Sequence, residues 1–140
     1  MRSAFGLSGE KCSALSVAYV ERSVHDRFLA LLVERTRALK VGSPEDKAVF
    51  MGPVIDDAAI ERFEKAAKSA RQAGRIVYGG NRMRTGGFAG GHFVEPTIVA
   101  DLPGDHWINR EELFLPFLSV QPFDRLEEAD LLIICVPTPL

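Results

Sequence analysis

Two segments with helical periodicity lie between short apolar runs, and this alternation constrains the fold of the 140-residue chain more than any other feature. One segment, Val24–Lys40, follows a serine that can cap a helix, and the other, Ala58–Ala73, follows two aspartates that can do the same. Runs rich in apolar and β-branched residues predict strands within Ser13–Val20, Arg75–Tyr78, Phe93–Asp101 and Phe117–Phe123. The alternation predicts an α/β fold with an open, mostly parallel sheet flanked by helices.

The first predicted helix carries an apolar stripe, which we expect to pack against the sheet. Its members are Val24, Phe28, Leu31, Leu32 and Leu39. The cap of this helix is predicted at Ser23.

The end of the sequence has a different character from the rest. Asp124 can cap a final helix that runs through Ala129, and the run Leu131–Val136 that follows is continuously apolar. Such a run is expected to be buried, and a symmetric contact with a second copy is the simplest way to bury it. We therefore expect a homodimer or a larger assembly with this tail near the contact.

Composition and charge exclude several classes of protein. The net charge of −2 argues against nucleic-acid binding, because a phosphate binder usually carries a clear basic excess. Two cysteines, Cys12 and Cys135, cannot build a disulfide scaffold or a four-ligand zinc site, so we expect no metal. No apolar run approaches the roughly 20 residues of a membrane-spanning helix, and Met1–Lys11 lacks the apolar core of a signal peptide. These features predict a cytoplasmic protein without a membrane partner.

The segment Gly9–Ser13 contains the sharpest chemical signal in the sequence. Cys12 directly precedes a predicted buried strand and follows a glycine-containing loop, a position that can present a thiolate nucleophile at a strand edge. Its neighbour Lys11 favours the anion, whereas Glu10 opposes it. A cysteine beside a strand can equally be a small buried apolar residue, so spacing alone leaves both interpretations open.

Three other features could carry chemistry, and for each the pattern favours a structural interpretation. Glu111 and Glu112 could do acid–base work if one carboxyl were buried, but adjacent glutamates point in different directions and favour a solvated turn. The glycine-rich stretch Gly86–Gly91 fits neither common phosphate-binding glycine motif, which favours a simple turn. Three histidines share no spacing with Cys12, and we expect them on the surface or in loops: His25, His92 and His106.

Five motifs together resemble the aldehyde dehydrogenase superfamily, and they follow the family's order over Ser3 to about Ala129. The segment Ser3–Gly6 followed by Gly9–Ala14 is similar to the catalytic-cysteine segment, and its Lys-Cys-Ser run resembles the delta-1-pyrroline-5-carboxylate dehydrogenase branch. The other four are Val41–Pro44, Met51–Ile55, Gly91–Thr97 and Glu111–Phe114 with Pro116.

The resemblance implies NAD-dependent oxidation of a small aldehyde, which in this branch is glutamate semialdehyde in the last step of proline breakdown. Cys12 matches the nucleophile, which forms a thiohemiacetal before hydride leaves to the nicotinamide and water hydrolyses the thioester. Its backbone N–H would supply one oxyanion donor. Ser13 matches a residue that helps hold the substrate carboxylate. Glu112 and Phe114 match the cofactor-binding residues beside the nicotinamide ribose, one through a hydrogen bond and one through its ring.

The resemblance also implies parts that these 140 residues do not contain. In the family an N-terminal nucleotide-binding domain binds most of NAD and carries the general-base glutamate and an oxyanion-hole asparagine. Residues 1–140 would then be part of the catalytic domain, and we expect them to bind no NAD and to be unable to turn over alone. Two alternatives are a non-catalytic module that binds itself or a full-length relative, and one half of a split enzyme completed by a separately encoded domain.

One residue departs from the family pattern. Leu115 stands where the family has glycine in a Phe-Gly-Pro turn. We expect a branched side chain there to disturb a turn that needs a close backbone approach or a positive φ.

Overall fold

Four strands form one open sheet with helices packed on both faces. The structure, a computed structural model, describes residues 1–125. In chain order its helices and strands are α1 Arg2–Phe5, β1 Val17–Glu21, α2 Arg22–Arg37, α3 Asp57–Ala73, β2 Arg75–Tyr78, β3 Thr97–Ala100 and β4 Phe117–Phe123. Short 3₁₀ turns occupy Gly6–Gly9, Gly86–Phe88 and Trp107–Asn109.

The strand order in this sheet is β1-β4-β3-β2. β4 runs parallel to both of its neighbours, with Ser119 opposite Val17 of β1 and Phe117 opposite Thr97 of β3. β2 pairs with β3 in the antiparallel direction at the far edge. Because only this last pairing is antiparallel, the prediction of an α/β fold with an open, mostly parallel sheet is confirmed.

The alternation of side chains along the central strands divides the core into two layers. On one face Val99 and Phe117 pack against the alanine-rich α3, where the rings of Phe63 and Phe117 meet edge to face with centroids 6.0 Å apart. On the other face Ile98 and Leu118 pack in the layer formed by α1 and α2. β4 is covered on both faces, and its two polar side chains, Ser119 and Gln121, are buried and hydrogen-bonded to each other at 2.8 Å.

β1 begins later than predicted. It starts at Val17 rather than at Ser13, since the residues after Cys12 first complete a turn in which the Ala14 N–H donates to the Lys11 carbonyl at 3.0 Å. The chain needs this turn before it can enter the sheet, and the apolar sequence of the segment does not reveal it. The strands predicted at Arg75–Tyr78 and Phe117–Phe123 have the predicted bounds.

α2 begins earlier than predicted and has a different cap. It follows β1 directly at Arg22, and the carboxylate of Glu21 accepts a hydrogen bond from the Ser23 N–H at 3.3 Å. The prediction that Ser23 caps the helix is therefore wrong, because a carboxylate two residues earlier accepts the N–H of the first turn. The helix ends at Arg37 rather than at Lys40.

The predicted apolar face of α2 is also wrong in part. The buried residues are His25, Leu29, Leu32 and Thr36, whereas three members of the predicted stripe lie exposed: Val24, Phe28 and Leu31. The burial of His25 overturns its expected place on the surface, while the other two histidines lie in loops as expected. The apolar stripe is wider than the sheet can cover, and its periodicity does not say which half faces inward.

Some predictions fall outside the described residues. They are the helix predicted beyond Asp124, the apolar run Leu131–Val136 and Cys135. Asp124 itself is described, and its carboxylate accepts two hydrogen bonds from the Arg22 guanidinium at 2.6 and 2.8 Å. Within residues 1–125, no helix has the length and the apolar character needed to cross a membrane.

Candidate active site

Three loops meet at one edge of the sheet, and two of them contain the four residues to which the family resemblance gives a role: Cys12, Ser13, Glu112 and Phe114. The loop at residues 6–16 leads into β1, and the loop at 111–116 leads into β4. Because these strands are parallel neighbours, their preceding loops lie at the same edge. The third loop, residues 52–55, contacts the first through hydrogen bonds.

The backbone before Cys12 adopts a left-handed conformation at three successive residues. Leu7, Ser8 and Gly9 have φ values of 52°, 57° and 71°. The Ser8 side chain is buried, and its hydroxyl oxygen lies 3.1 Å from the carbonyl oxygens of both Gly52 and Pro53, which share its single hydrogen. A polar side chain thus links this turn to a loop more than 40 residues away in sequence.

Gly9 allows the first loop to contact the loop at residues 111–116 directly. A Cβ atom on Gly9 would lie 2.1 Å from the carbonyl oxygen of Leu115, so the close backbone approach requires glycine. The positive φ of the second loop falls on Phe114, at 56°, and the Leu115 side chain is buried in the apolar core. The Leu115 backbone does not adopt a positive φ, so that part of the expectation for this turn is wrong. The close backbone approach that the expectation also named is present, between the Leu115 carbonyl and Gly9.

Glu10 forms a second link between the first loop and the loop at residues 52–55. Its carboxylate accepts a hydrogen bond from the Ile55 N–H at 3.1 Å. Partial burial raises the pKa of the Glu10 carboxyl above its ordinary value and outweighs the opposing effects of this hydrogen bond and the Arg62 charge. Nearby Asp56 acts in the same direction as burial.

An open groove of about 550 Å³ lies between these loops. Three of the large apolar side chains most exposed in the described chain lie along it: Leu7, Ile55 and Phe114. The carboxylate of Glu10 and the hydroxyl of Ser8 add polar groups to the same groove. Its remaining walls come from Pro44, Gly52 and Pro53.

Cys12 and Ser13 are exposed at the tip of the turn that follows Glu10. Cys12 is a free thiol on the surface, which removes the interpretation that it is a small buried apolar residue. The chain leaves the turn toward β1 with the Leu15 N–H donating to the Ser3 carbonyl at 3.0 Å. Lys11 is directed elsewhere, because its ammonium donates to the Arg2 carbonyl at 3.4 Å.

Glu112 and Phe114 lie on the loop that enters β4. Glu112 is exposed together with Glu111, so the predicted solvated turn is confirmed for this pair. The Phe114 ring is 39% exposed and lines the groove with Glu10. The structure thus brings the cysteine loop and the aromatic residue to one surface, while Cys12, Ser13 and Glu112 occupy the exposed parts of the same loops.

Ser8 and Ile55 are parts of this site that were not predicted. Ile55 belongs to a family motif, but no local pattern indicates its contact or that of Ser8, since these contacts join loops that are 45 and 44 residues apart. The neighbouring Gly9 and Gly52 could have indicated a close approach of backbones, but not which segments approach. In the part of the chain that the structure describes, no group of three or more His, Cys, Asp or Glu is placed to hold a metal ion.

A family model for the aldehyde dehydrogenase family matches residues 1–133. The 1-pyrroline-5-carboxylate dehydrogenase of Geobacillus kaustophilus is 41% identical over 129 residues, and that of Geobacillus sp. strain WCH70 is 40% identical over the same length. Each alignment covers 90% of this chain and 24% of the relative. The chain therefore spans about a quarter of the length of the curated relatives that it matches.

Solved structures give the same result at the level of the fold. HpcC from Thermus thermophilus superimposes with a TM-score of 0.85 at 31% identity, over 91% of this chain and 25% of that protein. A 1-pyrroline-5-carboxylate dehydrogenase from Thermus with bound NAD superimposes with a TM-score of 0.81 at 29% identity, over 91% of this chain and 24% of that protein. The motifs, the fold and these matches agree, and the chain belongs to the aldehyde dehydrogenase family.

Proposed function

We propose that this chain supplies the nucleophilic cysteine and the ribose-facing side of the nicotinamide site for NAD-dependent oxidation of a small aldehyde. The observation that carries the proposal is the exposed Cys12 at the tip of a turn that two other family motifs hold in place. The names of the relatives favour glutamate semialdehyde, the open form of 1-pyrroline-5-carboxylate, and thus proline breakdown.

Cys12 acts in this proposal by nucleophilic addition. Its thiolate sulfur bonds to the aldehyde carbon, and the electron pair of the C=O bond moves to the oxygen to give a thiohemiacetal. The Cys12 backbone N–H donates to that oxygen as it gains negative charge. Ser13, exposed beside Cys12, donates its hydroxyl to the carboxylate at the far end of the substrate.

Glu112 and Phe114 fit one edge of NAD. The exposed carboxylate of Glu112 can accept hydrogen bonds from ribose hydroxyls, and the left-handed backbone at Phe114 presents an aromatic ring at the groove. When bound, NAD supplies the hydride acceptor that converts the thiohemiacetal into a thioester. These two side chains contact only the ribose, so they account for a small part of the surface of the cofactor.

We further propose that residues 1–140 form part of a catalytic domain and do not turn over by themselves. Thiohemiacetal formation at Cys12 is reversible, and nothing further happens to it without a bound hydride acceptor. Supplying a partner chain that binds NAD would restore activity if the chain is one half of a split enzyme. Co-purification with a full-length relative, without any gain in activity, would instead favour a non-catalytic interaction module.

The nucleophile can be tested without the cofactor by transfer of an acyl group. p-Nitrophenyl acetate should acetylate Cys12 and release p-nitrophenolate, because the thiolate attacks the ester carbon and the phenolate leaves. Intact-protein and peptide mass spectrometry should find one acetyl group on Cys12 in a Cys135→Ser background and none in the Cys12→Ser variant. Acetylation of lysines alone, or equal release by both variants, would contradict the proposal.

A further inference from the structure

We propose that Ser8 and Glu10 are positioning residues for Cys12, because they fasten a left-handed turn to the loop at residues 52–55 and so fix the direction of the Cys12 turn. This inference rests on the proposed role of Cys12 as the nucleophile. Neither side chain needs to touch the substrate, since both act through the backbone that carries Cys12.

The turn before Cys12 needs contacts from elsewhere to persist. Leu7 and Ser8 both have side chains and both adopt positive φ, at 52° and 57°. A residue with a Cβ is less stable in the left-handed conformation than in the ordinary helical region, because the Cβ approaches the following carbonyl oxygen. The conformation is therefore stable only where its surroundings hold it, as is typical of strained segments at functional sites.

Ser8 provides the first of these contacts. Only 3% of the residue is exposed, and its single hydroxyl hydrogen is shared between the adjacent carbonyls of Gly52 and Pro53, both at 3.1 Å. Loss of the hydroxyl would remove a donor from two carbonyls and leave the backbone cost at Ser8 uncompensated. The turn would then relax toward an ordinary conformation.

Glu10 provides the second contact, on the far side of Gly9. Its carboxylate accepts from the Ile55 N–H at 3.1 Å, and the charged groups that face it are Arg62 in α3 and Asp56 at the cap of α3. An ionised carboxylate accepts a stronger hydrogen bond than a protonated one. The hydrogen bond that holds the Cys12 turn to Ile55 is therefore strongest when the Glu10 carboxylate is ionised.

Cys12 lies between this fastened segment and the sheet. It follows Glu10 by two residues, inside the turn closed by the Ala14 N–H and the Lys11 carbonyl. After the turn the Leu15 N–H donates to the Ser3 carbonyl, and the chain enters β1. With both ends held, the orientations of the sulfur and of the Cys12 N–H follow from the contacts of Ser8 and Glu10.

Two reactions of Cys12 separate its position from its intrinsic reactivity. Acetylation by p-nitrophenyl acetate passes through a tetrahedral oxyanion beside the Cys12 N–H, whereas alkylation by iodoacetamide requires only an exposed thiolate. The ratio of the two rate constants at one pH cancels the fraction of thiolate. We would measure this ratio for the 140-residue chain in a Cys135→Ser background.

Ser8→Ala and Glu10→Ala should each lower the ratio about tenfold. This effect is smaller than the 10²–10³-fold loss of rate that follows the removal of an oxyanion donor, because the Cys12 N–H would be misplaced rather than removed. Glu10→Gln retains an oxygen acceptor for the Ile55 N–H but carries no charge, so it should restore only part of the ratio. In the parent chain the ratio should fall toward acid as Glu10 protonates, and in Glu10→Gln it should stay constant with pH. Glu61→Gln, on the exposed side of α3, is the matched control and should change nothing.

Circular dichroism must show that each variant is folded. Ser8→Gly, which tolerates positive φ but lacks the hydroxyl, replaces Ser8→Ala if the latter unfolds, and Glu10→Ala tests the second contact independently. Ratios within about twofold of the parent in the folded variants would overturn the inference while leaving the nucleophile intact. A parent chain that is alkylated but never acetylated at Cys12 would instead overturn the proposed function.

Discussion

At the scale of single residues, Gly9 has the most restrictive position in the candidate site. Its φ of 71° disfavours a side chain, and the 2.1 Å separation between a hypothetical Cβ and the Leu115 oxygen excludes one. The cysteine loop and the loop before β4 therefore contact each other through bare backbone. A side chain at this point would separate Cys12 from the loop that carries Glu112 and Phe114.

Gly9→Ala should lower the free energy of unfolding by about 3 kcal/mol or more, from the left-handed backbone and the overlap with Leu115 together. Urea unfolding followed by circular dichroism measures this loss. Gly87→Ala is the control, because a Cβ there meets no atom within 4 Å. Equal stability of the two variants would show that the loops are not in direct contact.

Glu10 should give the stability of the chain a distinct pH dependence. Burial raises its pKa in the folded state above the ordinary value of 4.5, so the unfolded chain loses this proton first as the pH rises. The folded state binds more protons in this window, and the contribution of Glu10 to stability therefore falls from near pH 4.5 upward until its folded pKa is passed.

Urea unfolding at a series of pH values should show this fall in the parent chain and in Glu61→Gln. Glu10→Gln, which cannot titrate, should lack this component of the slope. A slope that is the same in all three proteins would mean that Glu10 is fully solvated in the folded chain.

At the scale of elements, the start of α3 depends on a capping side chain, whereas its packing on the sheet depends on the small residues of its buried side. Asp56 accepts a hydrogen bond from the Ala59 N–H at 2.7 Å, and the buried side of the helix consists mainly of alanines with Ile60 and Phe63. The small residues let the helix lie close to the sheet, and Phe63 fills the space above Phe117. The cap therefore fixes the first turn beside the loop at residues 52–55.

Asp56→Ala should cost about 1 kcal/mol of stability, the usual effect of removing a capping side chain. Thermal unfolding by calorimetry provides the measurement. Asp105→Ala removes an exposed aspartate from a turn outside any helix and should be close to neutral. An equal effect of the two substitutions would imply that general charge, rather than the cap, determines the loss.

The elements themselves were largely predictable, and the errors have local causes. The bounds of β2 and β4 and the end of α3 follow from flanking glycines, prolines and apolar runs. The start of β1 cannot be predicted in this way, because the residues that follow Cys12 in the exposed turn are of types that also occur in a strand. In α2 the periodicity identifies a helix, but only the sheet decides that Leu29 is buried and Phe28 is not.

The candidate site was predictable only in part for a similar reason. Cys12, Ser13, Glu112 and Phe114 stand out through motifs, each of which is local in sequence. The contacts that assemble them, such as the bond from Ser8 to the Gly52 carbonyl, join distant loops and depend on strand order. Without an observed sheet, no spacing rule places those loops together.

At the scale of the whole molecule, α2 presents an apolar strip to solvent. Val24, Phe28 and Leu31 are four and three residues apart, so they lie along one side of the helix, and each is between 39% and 49% exposed. The apolar run Leu131–Val136 is expected to be buried in a contact between copies of the chain, and the exposed strip on α2 is a second apolar surface that such a contact could cover. Both features favour self-association of the chain.

We therefore expect a homodimer or larger species at micromolar concentration. Light scattering should show a smaller mass for a version that ends at Asp130 or for a Leu31→Lys variant. An exposed substitution on the opposite side of the molecule, Lys68→Glu on α3, should leave the mass unchanged. A monodisperse monomer for the intact chain would contradict the expectation, and an unchanged dimer after truncation would exclude the tail from the contact.

The isolated chain should also fail to bind NAD measurably in a calorimetric titration. Glu112 and Phe114 contact one ribose in the proposed arrangement, and binding must still offset the lost freedom of a large cofactor. Heat changes that saturate at submillimolar NAD and disappear in Glu112→Gln would contradict this expectation. They would also make catalysis by the 140 residues alone worth measuring.

The strand order has a consequence for how the chain is made. β1 pairs with β4, and their partnered residues are about 100 positions apart, so a ribosome working at about 5–20 residues per second completes β4 roughly 5–20 s after β1. During that interval Val17–Glu21 lacks its partner strand β4, and the cysteine loop lacks its contact with the loop at residues 111–116. The loop that carries Cys12 therefore meets the loop at residues 111–116 only after β4 has been synthesised.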